Sequence, residues 1–488
     1  MWSNYQLNVF KFFEQGSGHG AINAVAGSGK STTAVEAVVK SDINNIIILA
    51  FNKHIEVDFN EKLEQAGQFP IAKTYNAFGY RILSDNIKCK LSLTKNEDIF
   101  KYDVIGKKDA SIYWKFVYNI KRVVSILKNN YVIPGPNLSR IIYQVIDDFD
   151  LSIKEKDRED FVSYASEVYK KSVANSSVID FDDQKFQPIY KEMEFPKMDL
   201  VVVDEYQDTC FLEAKILDAV QPERLIVFGD PWQAIYSFKG TEKDSIRTFT
   251  EKYKATELPL SICYRCPKEV VREAQKIVAH MEFNPEAPEG RVGWVSGSAF
   301  IKECTDQDMV LARCNVDLVS SAMGFIRAGI PAYVRGKEVG KTLSNVVEKI
   351  AGRKSMHIED FMSAFRDYRD KEMESLRGRN ALSRMTFFEE TCETIEVLTE
   401  GCTGSKEIVK KIDNLFSDED KPGILHQSIH KSKGGEGNSG CNVYILRSDK
   451  IPHPKAVDQE EEMRIKYVGL TRVKGDGGLM FVEPPKKV

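Results

Sequence analysis

Two rhythms of hydrophobic and polar positions alternate along this chain. Short uninterrupted apolar runs, the pattern of strands buried on both faces of a parallel sheet, are followed by segments whose apolar residues recur every three or four positions, as on an amphipathic helix. The runs Ala21 to Val25, Ile46 to Phe51, Leu200 to Val203 and Leu225 to Phe228 predict strands of one sheet. Arg291 to Val295, Met309 to Ala312, Ala332 to Val334, Ile424 to Ser428, Asn442 to Leu446 and Leu479 to Val482 predict a second. Each set is interrupted. Asp85 to Ser177 is dense in Lys, Asn, Tyr and Ile at helical spacing, and Asn345 to Pro422 carries Arg, Glu, Met and Phe at helical periods, with Pro422-Gly423 marking its exit. The expectation is an α/β protein with two parallel-sheet cores, each carrying a mainly helical insertion.

Length and composition fit this division. At roughly 150 residues per domain, 488 residues make about three units rather than one core. Hydrophobic residues at 42% and charged residues at 29% exclude a disordered or collagen-like chain. Lys and Arg total 68 against 72 Asp and Glu, a net charge of -4, so any surface that attracts nucleic acid must be local. No run approaches the eighteen or so apolar residues of a membrane helix, and the start lacks a secretory pattern, which predicts a cytoplasmic protein with no membrane partner. Nine irregularly spaced cysteines suit reduced thiols, and the Cys263 and Cys266 pair has no second pair nearby to complete a zinc site.

The candidate chemistry begins where the first strand ends. Ala26-Gly27-Ser28-Gly29-Lys30-Ser31-Thr32 follows the strand and opens a helical run to Lys40. Small residues let backbone N–H groups curl around phosphate oxygens, Lys30 reaches the β and γ phosphates, and Ser31 is placed to ligate Mg²⁺. The strict Gly-x-x-x-x-Gly-Lys-Ser/Thr pattern is missed at one residue, Ala24. A second Gly-Lys-Thr, Gly340-Lys341-Thr342, has no apolar strand leading directly into it and is expected to be a solvated turn. Asp199 to Glu205 supplies the matching carboxylates. A buried strand ending in two acids predicts Asp204 as the metal ligand and Glu205 as the general base for water.

At Asp204-Glu205-Tyr206-Gln207-Asp208 the chain resembles the Walker B segment of superfamily 1A DNA helicases, the UvrD, Rep and PcrA family. Further segments resemble that family in order: Gly229 to Gly240, Ile262 to Cys266, Ser428 to Glu436, and Glu461 to Arg472. So do Phe51-Asn52-Lys53, Thr74 to Phe78 and Asp180-Phe181-Asp182-Asp183. The resemblance implies two RecA-like parallel-sheet domains: domain 1A over 1–85 and 177–255, domain 2A over 256–344 and 423–488. Helical insertion 1B would cover 86–176 and insertion 2B 345–422.

The resemblance also implies roles. Gln6 would read the adenine edge, Tyr264 would stack on the base, and Glu436 would lie near the ribose. Arg265 and Arg472 would reach the γ-phosphate, Gln233 would sense it, and Asp230 and Gln207 would lie near metal and attacking water. For single-stranded DNA, which is gripped by stacking and backbone contacts, Tyr236 and Phe238 are the first stacking candidates. Lys239 stands beside them where the family usually has Arg. Phe51, Asn52, Thr74, Asn76, Phe78 and His430 follow, with a core role for Phe51 and Phe78 as the competing expectation. Asn76, Cys263 and Gly435 depart from the family's usual His, Asn and Leu, and four glycines from Lys433 to Gly440 predict a loop that orders on ligand binding.

The resulting expectation is an ATP- and Mg²⁺-dependent helicase or translocase, 3′ to 5′ by resemblance, with ATP in the 1A/2A cleft. Its partners would be single-stranded DNA, single-strand/duplex junctions, and replication or repair proteins, and it would be monomeric in isolation. Three rivals remain open: a translocase that displaces proteins without unwinding, an ATP-switched repair or replication adaptor, and a phosphate-loop kinase.

Overall fold

The computed structural model describes residues 2–106, 109–149, 151, 153–235, 244–352, 355–378, 382–456 and 458–483. These fall into two compact units: Met1–Ala24 with Gly29–Leu260, and Val25–Ser28 with Ser261–Val488.

The first unit is built on a six-stranded parallel sheet. Its strands are β1 (Gly20–Ala24), β2 (Ile46–Ala50), β3 (Ala72–Thr74), β4 (Leu200–Val203), β5 (Arg224–Gly229) and β6 (Thr256–Leu260), in the order β3-β2-β4-β5-β1-β6. Every residue of β4 is buried, as covered faces on both sides require. The sequence pattern finds the four inner strands and misses the two edges. β3 and β6 expose alternate or successive residues and so carry no apolar run, and Pro259, which cannot donate to a ladder, is tolerated because β6 pairs on one side only.

Helices Ala110–Asn129, Leu138–Asp148 and Arg158–Ala174 fill the first interruption and bury a core that includes Phe116, Ile120, Ile142, Phe161 and Tyr169 and is joined by Phe186 and Leu212 from beyond that interruption. This core meets the Asp180-Phe181-Asp182-Asp183 string through buried charges. Lys95 Nζ lies 2.6 Å from Asp183, and Lys128 Nζ lies 2.6 Å from Asp180 and 2.7 Å from Asp183. Ser172 Oγ accepts a further hydrogen bond from Lys128 at 3.0 Å.

The second unit carries a seven-stranded parallel sheet. Its strands are β7 (Arg291–Val295), β8 (Met309–Ala312), β9 (Ala332–Arg335), β10 (Phe416–Ser417), β11 (Ile424–Ser428), β12 (Val443–Leu446) and β13 (Gly478–Val482), in the order β7-β13-β12-β8-β11-β9-β10. The second interruption differs from the first. Phe361, Phe365, Ile395 and Ile412, from helices Ile358–Gly378, Leu382–Thr399 and Ser405–Leu415, join Val310, Leu318 and Val334 of the sheet layer in one continuous core. Strand β10 also lies inside the stretch expected to be helical.

Gly340-Lys341-Thr342 corrects an expectation. It is no solvated turn but part of helix Lys337–Ala351, entered from β9 through Gly336. Leu343 and Val347 of that helix are buried, and a Cβ at Gly340 would stand 2.8 Å from Phe416 Cβ, so this glycine permits close packing. No described helix is long and apolar enough to cross a membrane. All nine cysteines are free thiols.

Candidate nucleotide-binding site

β1 delivers the small-residue loop and helix Lys30–Lys40 receives it. Gly27 (φ 69°) and Gly29 (φ 77°) take the left-handed backbone that a side chain resists, and Gly29 caps the helix. Ala24 explains its own departure from the strict pattern, because it closes β1 in extended conformation, where a methyl group is no obstacle. Ser28 Oγ is buried with no hydrogen-bond partner among the described residues.

Lys30 Nζ lies 3.2 Å from Glu205 Oε1 and 3.3 Å from Oε2. Burial alone would depress the Lys30 amine, but the carboxylates of Glu205, Asp230 and Asp204 hold it above its ordinary range, so it stays a cation. Asp204, directly after β4, is buried, and burial with the neighbouring Glu205 charge pushes its carboxyl up to about 7. Glu205, the next residue, takes the left-handed backbone (φ 51°). Gln207 donates to Glu205 and accepts from the Asp230 N–H at 3.0 Å, and Gln233 donates to Asp230 at 2.7 Å. Burial raises Asp230 against the lowering effect of Lys30.

Asp204 Oδ1 is buried and without a hydrogen-bond partner among the described residues. An orphaned carboxylate oxygen among other oxygen donors fits a hard cation such as Mg²⁺. Asp204 and Ser31 would hold it, and it would supply charge neutralisation on phosphate oxygens.

Gln6 forms a capping box with Ser3 on helix Asn4–Gln15, and its Nε2 donates to Thr33 Oγ1 at 3.1 Å. It thereby ties that helix to the one opened by Lys30. A Cβ at Gly29 would lie 3.7 Å from Gln6 Nε2, which places the amide beside the loop.

In the second unit, Val25–Ser28 packs with the segments that follow Ser261. The Ala26 N–H donates to Tyr467 Oη at 2.8 Å and the Tyr264 N–H donates to the Gly27 carbonyl at 2.8 Å. Tyr467 falls within a recognised motif, yet sequence reasoning assigns it no role; the one available signal is a tyrosine on an otherwise apolar helix face, whose hydroxyl needs a partner. Tyr264 is exposed. Arg265 Nε lies 2.8 Å from Glu436, and its Nη1 donates to the Thr471 carbonyl at 3.2 Å. Glu436 also pairs with Lys474; burial would raise it, but Lys474 and Arg265 hold its carboxyl below the usual range. Arg472, 1% exposed, donates to the carbonyls of Val468 (2.9 Å), Ser432 (3.2 Å) and Gly435 (2.5 Å). The glycine-rich loop, expected to order only on ligand binding, is already fixed at Gly435 and at Gly437, whose N–H donates to the Arg472 carbonyl at 2.8 Å. Cys263 and Cys266 are buried; a hydrogen bond from Cys266 lowers Cys263 to about 7.

The expected DNA contacts are scattered in state. Tyr236, Phe238 and Lys239 lie outside the described residues. Asn52 and Thr74 cap helices Lys53–Gln65 and Tyr75–Asn86, accepting from Ile55 and Ala77 N–H groups. Asn76 donates to the Phe181 carbonyl at 2.7 Å, and Phe51 is half-buried. Phe78 is a correction: at 4% exposure it packs in the core 6.2 Å from the Phe195 ring centroid and offers no face to a base. His430 is half-buried, and burial with Arg313 and Lys433 nearby lowers its imidazole to about 3, so it stays neutral.

Comparison with known proteins agrees with the sequence motifs. The family model for the UvrD/REP helicase N-terminal domain matches residues 6–254. The ATP-dependent DNA helicase Rep of Buchnera aphidicola subsp. Baizongia pistaciae (strain Bp) is 24% identical over 293 residues, covering 54% of this chain and 41% of that protein. UvrD1 of Mycobacterium bovis is 23% identical over 293 residues (52% and 37%), and PcrA of Staphylococcus epidermidis is 29% identical over 142 residues (26% and 19%). The matched segments thus span less than half of these relatives' lengths.

Proposed function

Because the chain belongs to the UvrD/Rep helicase family, we propose that it is an ATP-dependent DNA helicase that translocates on single-stranded DNA, 3′ to 5′, and couples ATP hydrolysis to strand separation. The observation that carries this reading is the group of half-buried Lys30 and Glu205 with buried Asp204 and Asp230, which holds one cation against three carboxylates beside a loop of small residues. When triphosphate enters, Lys30 exchanges Glu205 for phosphate oxygen, and Glu205 is released to take the proton of an attacking water. Asp204 and Ser31 hold Mg²⁺, which supplies positive charge to the phosphates.

Gln233, joined to Asp230, registers the γ-phosphate, while Arg265 and Arg472 contribute charge where it develops. Ala26, Gly27, Ser28, Gly29 and Thr32 cradle the phosphates; Gln6 and Tyr264 face the base and Glu436 the ribose. Strand contacts are assigned to Tyr236, Phe238, Lys239, Phe51, Asn52, Thr74, Asn76 and His430. The domain scheme 1A, 1B, 2A and 2B is adopted with the boundaries given above. The substrate is a junction of single strand and duplex, and the setting is a cytoplasmic monomer acting with replication or repair proteins.

Strand separation on a duplex with a 3′ or a 5′ tail tests the proposal. The expected result is ATP-dependent separation of the 3′-tailed duplex alone, abolished in Lys30→Ala. Absence of separation from either tail would overturn the helicase reading.

A further inference from the structure

Cys314, Glu390 and His453 come from three separate stretches of the second unit and converge. Cys314 sits between β8 and helix Asn315–Arg327, Glu390 on helix Leu382–Thr399, and His453 in the loop before helix Gln459–Leu470. Cys314 and His453 are buried and Glu390 is half-buried. Their ligating atoms all lie within 4.8 Å of one another; Cys314 Sγ is 3.6 Å and His453 Nε2 3.8 Å from Glu390 Oε1.

The two separations to Glu390 lie slightly outside those around a tetrahedral ion, so small side-chain shifts would close the three groups on one. Bonds of about 2.0 Å to nitrogen or oxygen and about 2.3 Å to sulfur place neighbouring ligands of such a set roughly 3.3–3.5 Å apart. At 3.8 Å the His453–Glu390 contact is long for a direct hydrogen bond, whereas the 3.6 Å Cys314–Glu390 contact is an ordinary thiol-to-carboxylate hydrogen bond that metal binding would replace. We propose that Cys314, Glu390 and His453 form a site for one divalent transition-metal ion of the zinc class, which fastens helix Leu382–Thr399 of the second insertion to the second sheet.

Charge supports the assignment. A thiolate, a carboxylate and a neutral imidazole balance a divalent cation, and the Cys314 proton leaves to solvent as the metal–sulfur bond forms. The nearby cations are already paired: Arg313 lies 2.7 Å from Glu462 and Lys450 lies 3.0 Å from Asp317. The same Glu462 accepts the His453 N–H at 3.0 Å and so positions the histidine loop. His453 Nδ1 accepts a long 3.4 Å contact from the Lys455 N–H, which binding through Nε2 would exchange for a protonated Nδ1. Soft sulfur with imidazole and carboxylate selects zinc over Mg²⁺, and three protein ligands leave the fourth position for water.

The test uses the full chain, stripped with chelator and without nucleotide. Zinc measured by plasma mass spectrometry after re-addition should approach one ion per chain, and affinity should fall roughly tenfold or more in Glu390→Gln and in His453→Gln. Co²⁺ added to the parent should give a thiolate-to-metal charge-transfer band that Cys314→Ser removes and that Cys263→Ser/Cys266→Ser and Asp204→Asn retain. If Cys314→Ser does not fold, the Glu390 and His453 variants with the parent spectrum decide. A stripped parent that binds no zinc, or a Co²⁺ spectrum without a thiolate band, would overturn the site in favour of a metal-free polar contact.

Discussion

Lys30 and Glu205 hold each other in a half-buried ion pair, Nζ to Oε1 at 3.2 Å, where helix Lys30–Lys40 begins. The Glu205 carboxylate helps hold the Lys30 amine above its ordinary range, and in the proposed function Lys30 is the group that meets the triphosphate and Glu205 the base beside it.

Glu205→Gln should therefore slow ATP hydrolysis by about 10²–10⁴-fold while ATP still binds, and Lys30→Ala should lose both. Single-turnover hydrolysis alongside equilibrium ATP binding separates the two effects. Parental turnover in Glu205→Gln would move the base elsewhere.

Asp204 predicts a pH dependence of metal use. Its carboxyl sits near 7 against an ordinary value near 3.8. Between those values the folded chain keeps a proton that the unfolded chain releases, so without metal this group's contribution to stability falls as pH rises through that window. Mg²⁺ favours the ionised form. The rise in melting temperature caused by Mg²⁺ with a non-hydrolysable ATP analogue should be larger at about pH 8 than at about pH 6, and flat in Asp204→Asn. Equal shifts at both pH values in the parent would contradict the assignment.

His426 should make the protein sensitive to acid. Its Nδ1–H donates to the Ile424 carbonyl (3.2 Å), leaving Nε2 to accept from Ser321 Oγ (2.9 Å), and burial lowers the imidazole to about 4. Below about pH 6.5 the unfolded chain takes up a proton that the folded chain refuses, so stability is lost as pH falls from there toward about 4. Denaturant midpoints of the parent should drop across this range, and His426→Gln should reduce the slope.

The four charges that tie the first insertion to the Asp180–Asp183 segment predict a large structural effect. Lys128→Met leaves Asp180 and Asp183 under-compensated in a buried site and should cost about 3–5 kcal/mol. Lys121→Met, which removes an exposed pair with Glu97, should cost about 0–1 kcal/mol. Similar denaturation midpoints for the two variants would show that breaking the buried cluster leaves no uncompensated charge.

The contrast between these features shows what a sequence exposes. Inner strands such as β2 and β4 are continuous apolar runs and announce themselves; the edge strands β3 and β6 face solvent and do not. Lys30 and Asp204 are legible because each follows its strand closely. Phe78 is not, since a ring on a helix reads alike whether it meets a base or Phe195. Asp180 and Asp183 resemble a family string, yet their partners Lys128 and Lys95 lie 52 and 88 residues away, joined only by the fold. Cys314, Glu390 and His453 share no local spacing at all.

ATP turnover with and without single-stranded DNA tests the central claim most directly. A DNA motor should show many-fold stimulation by single-stranded DNA, weaker effects of RNA and blunt duplex, and no turnover in Lys30→Ala under any condition. Turnover in the parent that is indifferent to every nucleic acid would contradict it.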